Sequence, residues 1–109
     1  MSDTELRDRV QGIANSLTNP DLMRGDDLWE NGEPSAWEYS ERVLGAEYVI
    51  SSQREFLGVR LLITFGGPNI WINTRTKEVE GYWWGEEASA TFDDALDLNG
   101  HWEEIWNCQ

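Results

Sequence analysis

The sequence predicts an α+β fold: an antiparallel sheet of about four strands, with two N-terminal helices and a C-terminal helix packed on one face of it. Two changes in the spacing of apolar residues predict this order. The spacing is helical up to about residue 44, that of β-strands from about 46 to 84, and helical again towards the C-terminus. A chain of 109 residues can build one core, so residues 1–109 are expected to form a single domain.

The first helix is predicted over residues 3–18. Ser2 and Glu5 fit a capping box at its start, and Asn19-Pro20 stops it, because a residue before proline disfavours helical geometry. The apolar residues of this span share one helical face: Leu6, Val10, Ile13 and Leu17.

A second helix is predicted over residues 35–44, after a polar loop over residues 20–34. Ser35 and Glu38 fit a second capping box, and Gly45 fits the glycine that often follows the last helical residue. The capping box marks the start of this helix, and Gly45 marks its end directly before the first strand.

Four strands are predicted in the middle of the chain, at residues 46–51, 56–65, 69–74 and 78–84. Their connections are short, and Gly66-Gly67-Pro68-Asn69 is a turn signal, so antiparallel hairpins are the economical arrangement. Gly85 and the polar residues up to 89 are expected to close the sheet.

The C-terminal segment is predicted to be helical. Thr91 and Asp94 fit a capping pattern, and Asn99-Gly100 inside the segment is a candidate break. Its apolar residues fall on one stripe: Ala95, Leu98, Trp102, Ile105 and Trp106.

Several classes of protein are disfavoured at once. No apolar run approaches the roughly 18 residues of a membrane span, and the polar N-terminus lacks the apolar core of a secretory signal. A cytoplasmic location is therefore expected. Cys108 is the only cysteine, which excludes an internal disulfide, and together with His101 it supplies too few soft ligands for zinc. We expect no metal or other cofactor.

The formal net charge of −13 is unevenly distributed. Residues 78–109 contain nine acids and no base, and residues 21–47 contain eight acids and two bases. Nucleic acids and anionic membranes bind basic surfaces, so neither is expected as a direct ligand. A solvated surface that keeps the chain soluble is one interpretation. The other interpretation is that the acidic surface binds a strongly basic partner, such as a nucleic-acid-binding protein. Opposite charges on the two proteins speed their association.

The sequence contains no nucleophile motif, phosphate-binding loop or dinucleotide fingerprint. Paired carboxylates beside aromatic residues occur in glycosidases, but adjacency in sequence does not set the required separation. With 21 acids, neighbouring pairs are expected by chance: Asp26-Asp27, Glu86-Glu87, Asp93-Asp94 and Glu103-Glu104. We expect a binding protein and not an enzyme.

Tryptophan is unusually frequent, with seven in the chain. Trp83 and Trp84 are neighbours in a predicted strand, so one should face the core and the other the solvent or a partner. Trp71 likewise should face either the core or a partner. Enlargement of a small core is one interpretation of these residues, and anchors of an interface are the other.

One stretch, residues 66–89, resembles small acidic proteins that phages and other mobile elements encode. The resemblance lies in Gly66-Gly67-Pro68-Asn69-Ile70-Trp71 and Gly81-Tyr82-Trp83-Trp84-Gly85. Acidic proteins of this size and origin include anti-CRISPR and anti-restriction inhibitors, several of which resemble nucleic acid in charge. The resemblance therefore implies an inhibitor that acts in the cytoplasm of a bacterial host.

The leading hypothesis is an anti-CRISPR-like inhibitor that binds the basic nucleic-acid groove of a CRISPR effector or restriction enzyme. It would block DNA or RNA binding as a nucleic-acid mimic. The expected contacts are Glu78, Glu80, Trp84, Glu86, Glu87, Asp93, Asp94 and Asp97. Two alternatives stay open: an immunity protein or antitoxin that neutralises a basic nuclease toxin, and a tryptophan-lined module that binds a small molecule or carbohydrate.

Overall fold

The computed structural model describes residues 3–25 and 29–109. Within them it is an α+β structure with one antiparallel sheet, in which five strands pair in the order of the sequence. The elements are α1 (Asp3–Thr18), a 3₁₀ turn (Pro20–Met23), α2 (Ala36–Ser40), β1 (Gly45–Ile50), β2 (Phe56–Thr64), β3 (Asn69–Asn73), β4 (Glu78–Trp83), β5 (Glu86–Thr91) and α3 (Leu98–Asn107). None of these helices has the length and hydrophobicity that a membrane span requires.

Helix α1 covers the span that its spacing predicts. Its apolar face packs against β4 and β5 through the fully buried Leu6, Val10, Ala14 and Leu17. Gly81 in β4 permits this close approach, because a Cβ atom there would lie 2.6 Å from Cγ2 of Val10. The predicted cap residue Ser2 lies outside the described residues.

Helix α2 is shorter than predicted at its C-terminal end. Its cap is confirmed, because the Ser35 hydroxyl accepts a hydrogen bond from the Glu38 N–H at 3.2 Å. Gly45 does not follow a helix but is the first residue of β1. The Leu44 N–H donates to the Leu62 carbonyl at 2.7 Å, so sheet pairing takes up the backbone where further helix was predicted.

The sheet has a fifth strand, β5, which begins in the segment that was predicted to be a polar loop after the fourth strand. Trp84 and Gly85 connect β4 to β5 with φ of 48° and 81°, and positive φ at both central residues defines a two-residue type I′ hairpin turn. Along β5, Ala88 and Ala90 pack against the core while Glu87 is exposed. Small apolar residues thus line the buried side. The alternation of apolar and polar residues in Glu86–Thr91 is therefore weak, and the strand was not predicted.

Helix α3 begins at Leu98, whereas the capping pattern placed its start near Thr91, the last residue of β5. Asn99-Gly100 does not break the helix, because both residues lie in its first turn. The helix packs against β2 and α2, where the Trp102 indole N–H donates to the Ser40 hydroxyl at 3.0 Å.

The two faces of the sheet differ in chemistry, because side chains alternate along each strand. Leu61, Ile72 and Val79 lie side by side in the register of β2, β3 and β4 and are fully buried. We call the opposite side the charged face, and its side chains include Glu47, Arg60, Trp71, Glu78, Glu80, Tyr82 and Glu87.

Candidate interaction surface

The β4–β5 hairpin carries five of the eight predicted contact residues, namely Glu78, Glu80, Trp84, Glu86 and Glu87. Tyr82 alternates in phase with the two acids of β4 and lies opposite Glu87 in β5. We call the hairpin surface the outward side chains Glu78, Glu80, Tyr82 and Glu87 together with Trp84 in the turn. Glu86 is partly buried at the start of β5.

One base, Arg60 of β2, lies beside the hairpin surface. Its Nη1 is 2.9 Å from Oε1 of Glu47, and its Nη2 is 3.3 Å from Oε1 of Glu80. The guanidinium also lies over the indole of Trp71, 4.3 Å from the ring centroid. Carboxylates and an aromatic face both attract a cation, so Arg60 has three partners inside the chain. The charge of Glu80 is therefore compensated in part.

The other two outward acids, Glu78 and Glu87, are not compensated in this way. Within the described parts of the chain, neither carboxylate forms an ion pair or a hydrogen bond. Partial burial raises the pKa of the Tyr82 phenol, and Glu80 and Glu87 raise it further while Arg60 opposes them. Burial is the largest of these causes, and the two carboxylates add to it because a nearby negative charge disfavours the phenolate.

Trp84 is the most exposed large hydrophobic residue in the described chain, at 86%. Its indole meets that of Trp83 edge to face, with ring centroids 5.8 Å apart, and Trp83 packs against the core. The two neighbours thus divide into one core residue and one exposed residue, as predicted, although Trp84 lies in the turn and not in the strand. A φ of 48° is also costly for a bulky residue, so the turn holds its tryptophan at the expense of stability.

Two adjoining cavities run along the hairpin. The tip cavity, of about 460 Å³, lies at the end of the sheet between the β2–β3 and β4–β5 turns and is lined by Gly66, Gly67, Asn69, Tyr82, Trp83, Trp84, Gly85, Glu86 and Glu87. The face cavity, of about 320 Å³, is lined by Glu78, Glu80, Tyr82, Glu87, Ala88 and Ser89. They share the lining residues Tyr82 and Glu87, and we call the two cavities together the groove.

The remaining three predicted contacts lie between β5 and α3, at the far end of the hairpin from Trp84. Asp94 is bound inside the chain: its two carboxylate oxygens accept the N–H groups of Leu98 and Asn99 at 2.8 and 2.9 Å. Lys77 Nζ lies 3.9 Å from Oδ2 of Asp94, and the Asp94 side chain is 7% exposed. Asp94 thus satisfies backbone donors at the start of α3 and contributes little open charge.

Asp97 and Asp93 complete this end of the molecule. Asp97 caps α3 by accepting the N–H of Gly100 at 3.1 Å. Gly100 makes room for that carboxylate, because a Cβ atom there would collide with it. Asp93 is exposed, and its backbone N–H donates to the Thr18 hydroxyl at 3.0 Å. These three acids therefore follow the end of the hairpin at which Glu78 pairs with Thr91, away from Trp84.

The chain offers little for a metal centre. No group of three or more histidine, cysteine, aspartate or glutamate side chains in residues 3–25 and 29–109 is placed to hold a metal ion. His101 instead lies edge-on to the rings of Trp37 and Trp102, and Cys108 is exposed. The pair Asp26-Asp27 lies outside the described residues.

Several residues that line the groove are absent from the predicted contacts, among them Tyr82, Gly66 and Asn69. The signal for Tyr82 is its alternation in phase with Glu78 and Glu80, which places it among the outward acids. Gly66 and Asn69 belong to a turn signal whose spatial neighbour, the β4–β5 turn, follows only from the full strand order. Comparison with protein-family models, with curated proteins and with solved structures finds no match to this chain.

Proposed function

We propose that this protein is an acidic inhibitor that binds a basic nucleic-acid-binding surface of a bacterial defence complex, a CRISPR effector or a restriction enzyme. It occupies the place of DNA or RNA there. The observation that carries the proposal is the hairpin surface, where Glu87 near the exposed Trp84 and Glu78 at the other end of β4 are both uncompensated. Residues 78–91 contain four acids and no base.

The geometry suits a groove that normally holds a phosphate backbone. Residues two apart on a strand, such as Glu78 and Glu80, have Cα atoms about 6.7 Å apart, roughly twice the rise per phosphate of one DNA strand. Carboxylates on one side of a strand thus present negative charge at regular intervals. Trp84 adds the large apolar area that anchors interfaces. The acids speed the encounter, and the indole lengthens the residence time.

The experiment is a DNA-binding and cleavage assay with a panel of purified CRISPR effectors and restriction enzymes. The test variant reverses two acids of the hairpin surface, Glu78→Lys and Glu87→Lys. The control variant, Glu103→Lys with Glu104→Lys, makes the same change in net charge at two exposed positions of α3. Thermal unfolding is measured for both, because the comparison requires that both are folded.

We expect at least one complex to be inhibited by the wild-type chain and by the control variant. Inhibition by the hairpin variant should fall at least about tenfold, because each reversal replaces attraction by repulsion at the contact. Equal inhibition by a folded hairpin variant contradicts the proposal. A panel with no inhibited member also contradicts it, and inhibition of a purified nuclease toxin instead would assign the same surface to an immunity protein.

The tip cavity favours one other function, a module for small polar ligands. Its volume lies within the range of ligand pockets, and its aromatic rings and Asn69 suit stacking and hydrogen bonding to a sugar. Such binding is insensitive to salt, whereas the proposed inhibition weakens as salt screens the carboxylates. A carbohydrate screen by tryptophan fluorescence, in low and high salt, separates the two functions.

A further inference from the structure

We propose that the tip cavity receives an arginine side chain of the partner. This inference rests on the proposed function, because it names the chemistry of the basic surface that the hairpin engages. It is argued from how the chain holds its own arginines and from what lines the tip cavity.

Two tryptophans of this chain already hold a guanidinium group. Arg60 lies over Trp71 at 4.3 Å from the ring centroid and is held at its edges by Glu47 and Glu80. Arg42 lies over Trp29 at 5.3 Å. An aromatic face with carboxylates at the guanidinium edge is thus a binding arrangement that the charged face itself uses.

The tip cavity repeats the parts of the Arg60 arrangement without the cation. It is lined by the aromatic residues Trp84 and Tyr82 and by Glu87, and none of the described residues that line it is basic. Three glycines are among its lining residues, so backbone without a side chain forms part of its wall. With Trp84 86% exposed, a large apolar area is left for a flat group to cover.

The arrangement favours arginine over lysine. A guanidinium is planar and weakly hydrated, so it stacks on an indole while its edge donates to two carboxylate oxygens at once. An ammonium is a strongly hydrated point charge and gains less from the ring. Attraction by the uncompensated acids is the same for both. Tighter binding of arginine than of lysine therefore measures the contribution of the ring contact to affinity, separately from that of the charge.

The experiment compares two short peptides of equal length and charge, one with arginine alternating with glycine and one with lysine in place of arginine. Binding to the full chain is measured by calorimetry at low salt. We expect the arginine peptide to bind about fivefold more tightly, which corresponds to one cation–π contact. Trp84→Ala should remove this preference. Trp37→Ala, at another exposed tryptophan, is the matched control and should keep it.

Nitrogen-15 spectra locate the peptide. The amides of Gly66, Gly67 and Gly85 should shift with the arginine peptide, since they line the tip cavity. Equal affinity of the two peptides, or shifts confined to the face cavity, overturns the arginine site. Loss of inhibition in the Glu78→Lys, Glu87→Lys variant would still support the proposed function in that case. If inhibition also survives the charge reversal, both proposals fall.

Discussion

The base-free segment of residues 78–109 contains two halves with similar numbers of acids and opposite uses for them. The hairpin over residues 78–91 has four acids, and residues 92–109 have five. In the hairpin, Glu78 and Glu87 form no ion pair or hydrogen bond within the described chain. In the second half, Asp94 and Asp97 accept backbone N–H groups at the start of α3.

The difference follows from the backbone next to each acid. The first N–H groups of a helix have no partner within the helix, so a nearby aspartate is drawn in to satisfy them. The N–H groups of β4 are paired with neighbouring strands, and the side chains of β4 and of the edge strand β5 stand roughly perpendicular to the sheet, away from backbone donors. A glutamate there finds no free donor, and it faces either a base, as Glu80 does, or the solvent. Acidic side chains thus stabilise the start of α3 in the second half, and in the hairpin they give the surface its negative charge.

The largest expected difference in stability is between two single variants, each of which removes one carboxylate from one half. Asp94→Ala should lower the free energy of unfolding by about 2 to 3 kcal/mol, because two backbone donors lose a charged acceptor. Glu87→Ala should change it by less than about 0.5 kcal/mol, as exposed substitutions do. Urea unfolding of both variants measures the contrast. Asp94→Asn keeps one acceptor oxygen and should lose less, and equal losses at residues 94 and 87 would break the comparison.

The next effect concerns Trp84, where the hairpin sacrifices stability. Trp84→Asn should raise the free energy of unfolding by about 1 kcal/mol, because asparagine tolerates positive φ in a type I′ turn. It should also weaken inhibition, since the anchor is lost. Arg54→Asn is the control: Arg54 has a φ of 65° in another turn, so the variant should be more stable and still inhibit. A loss of stability in Trp84→Asn would mean that the indole serves the fold.

Helical spacing predicted α1 to its ends because the apolar stripe packs against the core, with Leu6, Val10 and Leu17 fully buried and Ile13 partly buried. The fifth strand was missed for the opposite reason: alternating alanines bury too little area to stand out, and Glu86-Glu87 resembles a loop. The φ values at Trp84 and Gly85 decide that hairpin, and a tryptophan in a type I′ turn runs against propensity. Local conflict of this kind is common where a residue serves binding.

The candidate site divides in the same way. That Glu78 and Glu80 share a face with Tyr82 follows from strand alternation alone. That Asp94 caps a helix beginning at Leu98 depends on where β5 ends, which the sequence did not indicate. The tip cavity joins two turns that are distant along the chain, so it follows from the strand order and not from any local pattern.

A smaller effect measures the repulsion that the hairpin retains. Glu78→Gln with Glu87→Gln should raise the free energy of unfolding by about 0.3 kcal/mol at low salt, because each carboxylate repels that of Glu80. Glu78 lies two residues from Glu80 along β4, and Glu87 lies diagonally across from it on β5. In about 0.5 M salt the gain should vanish, since exposed charges are then screened. Thermal unfolding in a salt series checks this. A loss of stability in the double variant would show that these carboxylates have partners that matter.

The smallest effect is a change of one pKa, and it tests whether the open acids produce a field where a partner would dock. Glu87 raises the pKa of the Tyr82 phenol, because a nearby carboxylate disfavours the phenolate. Glu87→Gln should therefore lower that pKa, whereas Asp93→Asn, at the far end of the hairpin, should leave it unchanged. The chemical shift of the phenol Cζ against pH gives both values. If neither variant moves the pKa, solvent already screens Glu87, and the hairpin surface cannot attract a basic partner more strongly than the capped acids do.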